Sequence, residues 1–390
     1  DDIRNTLKSG YPNEGSPAFI TGGKRNVEDV FKNIKAQPTN FEADDPGDVI
    51  QYIAAHDNLT LFDVIAQSIK KDPAIAANNQ EIHRRLRLGN LMVLTSQGTP
   101  FLHSGQEYGR TKQFRDPAYK YTVSEDKVPN KSHLLTNADG TPFEYPYFIH
   151  DSYDSSDAVN HFDWTKATNG DKFPENTKSR DYVKGLIALR KSTDAFTRKT
   201  KAEADQNVTL ITQPGKDGVE KEDTVLGYQV VASNGDIYAV FVNADNKERK
   251  FNFGEAYKHL ANAQVVADGN TAGVTAISNP AGVTLGADGV TLAPLTATIL
   301  RIQKNSKPNQ EKPKEEQNQT KPSTPKGESG QTTTSSTQSN TSASQTQQQQ
   351  AGAGKADKTL PSTGTTISIA GVLAGIGLLL SSVVVLKKKK

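Results

Sequence analysis

The composition of this 390-residue chain breaks at about residue 304, and the break limits what the chain can fold into. Residues 304–358 are Pro, Lys, Glu, Gln, Ser and Thr with almost no apolar residue, and include the run Gln347-Gln348-Gln349-Gln350. Such a segment buries too little apolar surface to offset the entropy of ordering it, so the sequence predicts a disordered, solvated linker there. Any sizeable core must come from residues 1–303.

Beyond the linker the chain carries Leu360-Pro361-Ser362-Thr363-Gly364, an uncharged apolar stretch over 367–386, and four lysines at 387–390. About 20 apolar residues suffice for a helix to cross roughly 30 Å of hydrocarbon, and the lysines would stay on the cytoplasmic side. The expectation is a C-terminal transmembrane helix with the rest of the chain outside. A plain single-pass anchor would need no more than this. The whole 359–390 arrangement, however, resembles the sortase signal of Gram-positive surface proteins. That resemblance implies cleavage between Thr363 and Gly364 within the motif Leu360, Pro361, Ser362, Thr363 and Gly364. It also implies sortase and peptidoglycan as partners, membrane contact only through a transient helix, and an extracellular, wall-anchored location. The 304–358 linker would then be a wall spacer.

Charge adds little. Lys and Arg total 46 against 44 Asp and Glu, a net charge of +2, so nothing points to nucleic acid. Zero cysteines suits an exported chain without disulfides and leaves no metal-thiolate site. The first residues, Asp1-Asp2-Ile3-Arg4-Asn5, contain no apolar signal region. With this tail, the expectation is a C-terminal piece of a longer exported protein.

Residues 196–303 read as an antiparallel β-sandwich. The runs 226–231 and 237–243 are rich in β-branched and aromatic residues, and Ser233-Asn234-Gly235-Asp236 between them is a hairpin turn. Further strands are expected at 250–253, 264–267, 282–285 and 296–302. The expected role is to cap and stabilise what precedes it, with glycan binding as the alternative.

Residues 1–195 alternate differently. A short strand over 48–55 leads into His56-Asp57-Asn58, and Leu61, Val64, Ile65, Ser68 and Ile69 then share one helical face, with Thr60-Leu61-Phe62-Asp63 at capping-box spacing. A basic helix over 80–90 precedes the apolar run 91–95, which reads as a second strand ending in Gly98-Thr99-Pro100-Phe101. After a long polar loop, 177–192 reads as an amphipathic helix. The fold class is therefore α/β plus β: the C-terminal part of a TIM (β/α)8 barrel followed by the sandwich.

Polar residues that stop a barrel strand at its C-terminal end are the ones to question chemically. His56-Asp57-Asn58 sits there. At these residues the sequence resembles the pullulanase-type debranching enzymes of the alpha-amylase superfamily. Tyr52-Ile53-Ala54-Ala55-His56-Asp57-Asn58 is similar to the signature after barrel strand seven. Gly98-Thr99-Pro100-Phe101-Leu102-His103-Ser104-Gly105-Gln106-Glu107-Tyr108, with Arg110-Thr111-Lys112, is similar to the strand-eight segment. The stretch from Ser152 to Trp164 resembles a pullulanase loop.

The resemblance implies a retaining glycoside hydrolase acting on α-1,6 branch points of pullulan, glycogen or starch-derived glucans. Asp57 would stabilise the oxocarbenium-like transition state, and His56 would bond the same sugar. Asn58 would extend the pocket floor, with Tyr153 and Asp154 as further substrate contacts. A fixed carboxylate beside a ring gaining positive charge lowers the barrier. The resemblance requires no cofactor and allows calcium, although no acidic cluster here is dense enough to hold it. Retaining enzymes need a carboxyl pair roughly 5 to 5.5 Å apart. The family supplies that pair after strands four and five, upstream of residue 1, so this polypeptide alone is expected to be inactive. Glu107 and Asp63 do not fill that role.

Bland readings stand beside these. Asp57 or Asn58 would serve equally as the cap of the following helix, and His103 and Glu107 as loop residues bonding backbone. Tyr145, Tyr147, Phe148, Tyr153 and Trp164 would either stack on sugar or fill space, with filler favoured for Trp164. A surface adhesin that binds α-glucan without cutting it is the competing function.

Overall fold

The computed structural model describes residues 2–304. The expected linker past Lys304, the sortase motif 360–364 and the span 367–386 lie outside the described residues. The chain divides into two units, Asp1–Lys312 and Pro313–Lys390, and the fold below belongs to the first. No helix of the described residues is long and apolar enough to cross a membrane.

A 20-residue helix, Ala76–Thr95, runs through the centre of the first half. Every residue from Arg85 to Gln97 is buried. Here the structure corrects the sequence reading: 91–95 is not a strand but the last turns of this helix. A helix enclosed on all faces loses its 3.6-residue alternation and presents the same apolar run as a buried strand. Gly89 permits the close packing, since a Cβ there would lie 2.9 Å from Ile53 Cδ1 and 3.2 Å from Ile20 Cδ1.

The helix end is closed by a charge. Arg190, on the helix Pro174–Lys191, donates from Nη1 to Leu94 O at 2.9 Å and Ser96 O at 2.7 Å, and from Nη2 to Gly98 O at 2.7 Å. A cation is favourable where unpaired helix carbonyls gather. The chain then turns at Gly98, with φ +90°, into Thr99–Pro100. That short strand pairs in parallel with Ile50–Gln51, in register Ile50 to Thr99 and Gln51 to Pro100.

The expected polar loop contains an unanticipated hairpin, Ser132–Thr136 with Pro142–Ile149. Its sequence hides the alternation, because Pro142 and Pro146 interrupt it and Leu134 faces solvent.

The last third follows the period-two pattern closely. Five antiparallel strands run in the order Gln264–Ala267, Thr296–Ile302, Ile237–Asn243, Val225–Val231 and Val208–Leu210. A second sheet holds Arg249–Asn252, Gly289–Leu292 and Val283–Leu285. Phe241 of the first sheet meets Phe251 of the second at 5.3 Å between ring centres, so the two faces share a core. The strands Val208–Leu210 and Gly289–Leu292 were not anticipated. One apolar core continues from Ile3 through the central helix to Leu300. Tyr228 of the sheet donates to Thr95 Oγ1 at 2.7 Å.

Candidate active site

Helix Leu61–Ile69 begins with Thr60 as its cap: the Asp63 backbone N–H donates to Thr60 Oγ1 at 3.3 Å. Neither Asp57 nor Asn58 has that duty, so the capping explanation for their presence falls away. The Asp63 carboxylate, in turn, accepts from the Lys112 backbone N–H at 2.7 Å and from the Thr111 hydroxyl. Burial pushes this carboxyl up to about 6, against the pull of the hydrogen bonds from Thr111 and Lys112.

His56 and Asp57 project into solvent just past the strand Ile50–Gln51, with side chains 83% and 79% exposed. His56 Nε2 stands 3.3 Å from Asp57 Oδ1. Asn58 holds φ +62°, a left-handed conformation uncommon for a residue with a side chain. The turn brings two carbonyls onto one cation: Lys112 Nζ donates to His56 O at 2.9 Å and to Asn58 O at 2.8 Å. Lys112 itself is only 1% exposed, and burial lowers its pKa while Asp63 and Asp57 raise it.

His103 joins this group from the segment after Thr99–Pro100. Its Nε2 lies 3.3 Å from Arg110 Nη1, and burial together with Arg110 pushes the imidazole down to about 4. Glu107 accepts from the Gly105 backbone N–H at 3.0 Å, the loop-bonding role. Tyr153 and Asp154 are engaged differently. Tyr153 is 94% exposed, and Asp154 pairs with Lys131 at 3.2 Å. Trp164 is 69% exposed in this chain and leans on Phe162 at 4.5 Å between ring centres. Phe162 in turn meets Tyr108, whose hydroxyl accepts from the Asp163 N–H at 3.0 Å. Among the described residues no group of three or more His, Asp or Glu is placed to hold a metal ion.

The sequence alone missed Lys112. A lysine in a polar loop reads as solvated, and only the three-dimensional path shows it enclosed beneath the 56–58 turn.

The tail defines a chain with a Gram-positive cell-wall anchor, and hence an extracellular one, and most of what precedes it is similar to pullulanases. Residues 354–390 match the LPXTG cell wall anchor motif, and residues 207–303 match the SpuA C-terminal family. Over 305 residues the chain is 73% identical to Pullulanase A of Streptococcus pneumoniae serotype 4, covering 78% of this chain and 24% of that protein. It is similar in structure to the catalytic module of the multi-modular glycogen-degrading pneumococcal virulence factor SpuA. There the TM-score is 0.77 at 72% identity, covering 78% of this chain and 43% of that one. The Group B Streptococcus pullulanase SAP in complex with maltotetraose gives 0.74 at 60% identity, covering 78% and 38%. The chain thus spans about a quarter of the length of the curated relatives it matches.

Proposed function

We propose that this chain is the C-terminal portion of a wall-anchored pullulanase that hydrolyses α-1,6 branch points of pullulan, glycogen or starch-derived glucans with retention. The identity of 73% over 305 residues to Pullulanase A carries this reading. In it, the parallel pair Ile50–Gln51 and Thr99–Pro100 forms the last two strands of a (β/α)8 barrel. Ile50 is 52% exposed and Phe101 44%, consistent with a surface that the rest of the barrel covers. Nucleophile and acid/base come from the remainder of the complete protein.

Asp57 and His56 then face the sugar whose ring flattens and gains positive charge. A carboxylate fixed beside that ring stabilises the transition state more than the ground state. Asn58 shapes the same turn, while Tyr153 and Asp154 contact more distant sugar units. The neutral His103 is able to accept a hydroxyl hydrogen bond. Maturation cuts the Thr363–Gly364 bond through a sortase.

The test is a reducing-sugar assay of the complete protein on pullulan against amylose. Faster cleavage of pullulan supports the reading, and preference for amylose removes the α-1,6 assignment. Glycogen binding without cleavage of either leaves the adhesin instead.

A further inference from the structure

Lys112 is an unusual lysine for a loop, because its charge is enclosed and its partners are carbonyls rather than carboxylates. Both carbonyls belong to the turn that presents Asp57, one on each side of it. From the other direction, the backbone of Lys112 is pinned twice. Its N–H donates to buried Asp63, and its carbonyl accepts from the Ile149 N–H at 3.0 Å. Asp63 sits in the first turn of the helix that follows Asp57, so one lysine ties the exposed turn to the helix behind it and to the hairpin beside it.

The physical consequence follows from the turn itself. Asn58 has a left-handed backbone, which relaxes easily unless surrounding contacts hold it. Within this chain the side chains of His56 and Asp57 are more than three-quarters exposed, so the backbone of the turn sets where they start. The two ammonium bonds are what fix the carbonyls on either side of Asp57, and hence the direction of its side chain.

We infer that Lys112 is a positioning residue for the reaction, holding the His56-Asp57-Asn58 turn so that Asp57 reaches the sugar. The inference rests on the function proposed above. A misplacement of about 1 Å at a reacting centre costs on the order of 100-fold in rate, and Lys112 touches no substrate atom itself.

The experiment uses the complete protein with Lys112→Met, which keeps the length of the side chain and removes the ammonium. The expected result is a fall in kcat on pullulan of about 100-fold with KM nearly unchanged. A crystal structure of the variant should show the Asp57 carboxylate displaced by about 1 Å or more. A sheet-core control, Ile299→Val, should lose thermal stability yet keep kcat, which separates positioning from general destabilisation. Lys112→Arg supplies the second variant if Lys112→Met fails to fold. Lys112 is only 1% exposed, so the bulkier guanidinium must push the turn aside to enter its place, and kcat should again fall with KM held. Wild-type kcat in either folded variant, or an Asp57 carboxylate that has not moved, overturns the inference. Absence of pullulan cleavage by the wild type instead sinks the proposed function, and the position of the Asp57 carboxylate in the variant still decides the role of Lys112.

Discussion

The helical first part and the double sheet of the last third share one apolar core but differ in how many charged groups they bury. Within the sheets the core is aliphatic and aromatic, as with Val240, Phe241, Val290 and Ile299, and each strand spends its hydrogen bonds on its neighbours. In the first part, Asp63, His83, Arg85, Arg87, Asn90, Gln97 and Lys112 are all enclosed. Buried polar groups are costly unless paired, so each fixes a local geometry. The comparison teaches that the two regions fix their geometry by different means. The sheets supply a rigid flank, and the first part uses buried polar contacts to hold exposed loops in place.

The largest effect that tests this contrast is in the sheet. Phe241→Ala removes a ring that touches both Phe251 and Phe253 and should cost about 4 kcal/mol in chemical denaturation. A cost below about 1 kcal/mol would mean that the sheets are not the rigid flank.

A smaller loss is expected where a charge closes the central helix. Arg190→Met leaves the carbonyls of Leu94, Ser96 and Gly98 without their donor and should cost about 2 kcal/mol. Thermal denaturation of the variant checks this.

The mildest signature is a slope with pH. His83 lies on the central helix with Nδ1 2.9 Å from Ser179 Oγ, and burial with Arg87 alongside pushes its pKa from 6.5 down to about 3. Between those values the unfolded chain binds a proton that the folded one refuses. Its contribution is therefore intact above 6.5 and is lost as pH falls, at up to about 1.4 kcal/mol per unit. His83→Gln should flatten that part of a denaturation profile measured from pH 7 downward, and an unchanged slope would place the proton elsewhere.

The same contrast explains what could be read before folding. Strands such as Ile237–Asn243 and Thr296–Ile302 were legible because β-branched alternation and the Asn234-Gly235 turn announce them locally. In the first part the signals were weaker or absent. Residues 91–95 lost their helical period by being buried all round, and the hairpin at 132–149 was masked by prolines and exposed apolar side chains. His56 and Asp57 stood out because a polar pair ends an apolar run. Lys112 did not, since its meaning lies entirely in two distant carbonyls.

The proposed function gives the Asp57 carboxylate, 79% exposed in this chain, a part in the chemistry rather than in the folded core. Asp57→Asn in the complete protein tests it most directly, with pullulan cleavage and thermal denaturation measured on one preparation. The account predicts a kcat lowered by about 100-fold or more with an unchanged Tm. Wild-type kcat, or a Tm that drops along with activity, would contradict it.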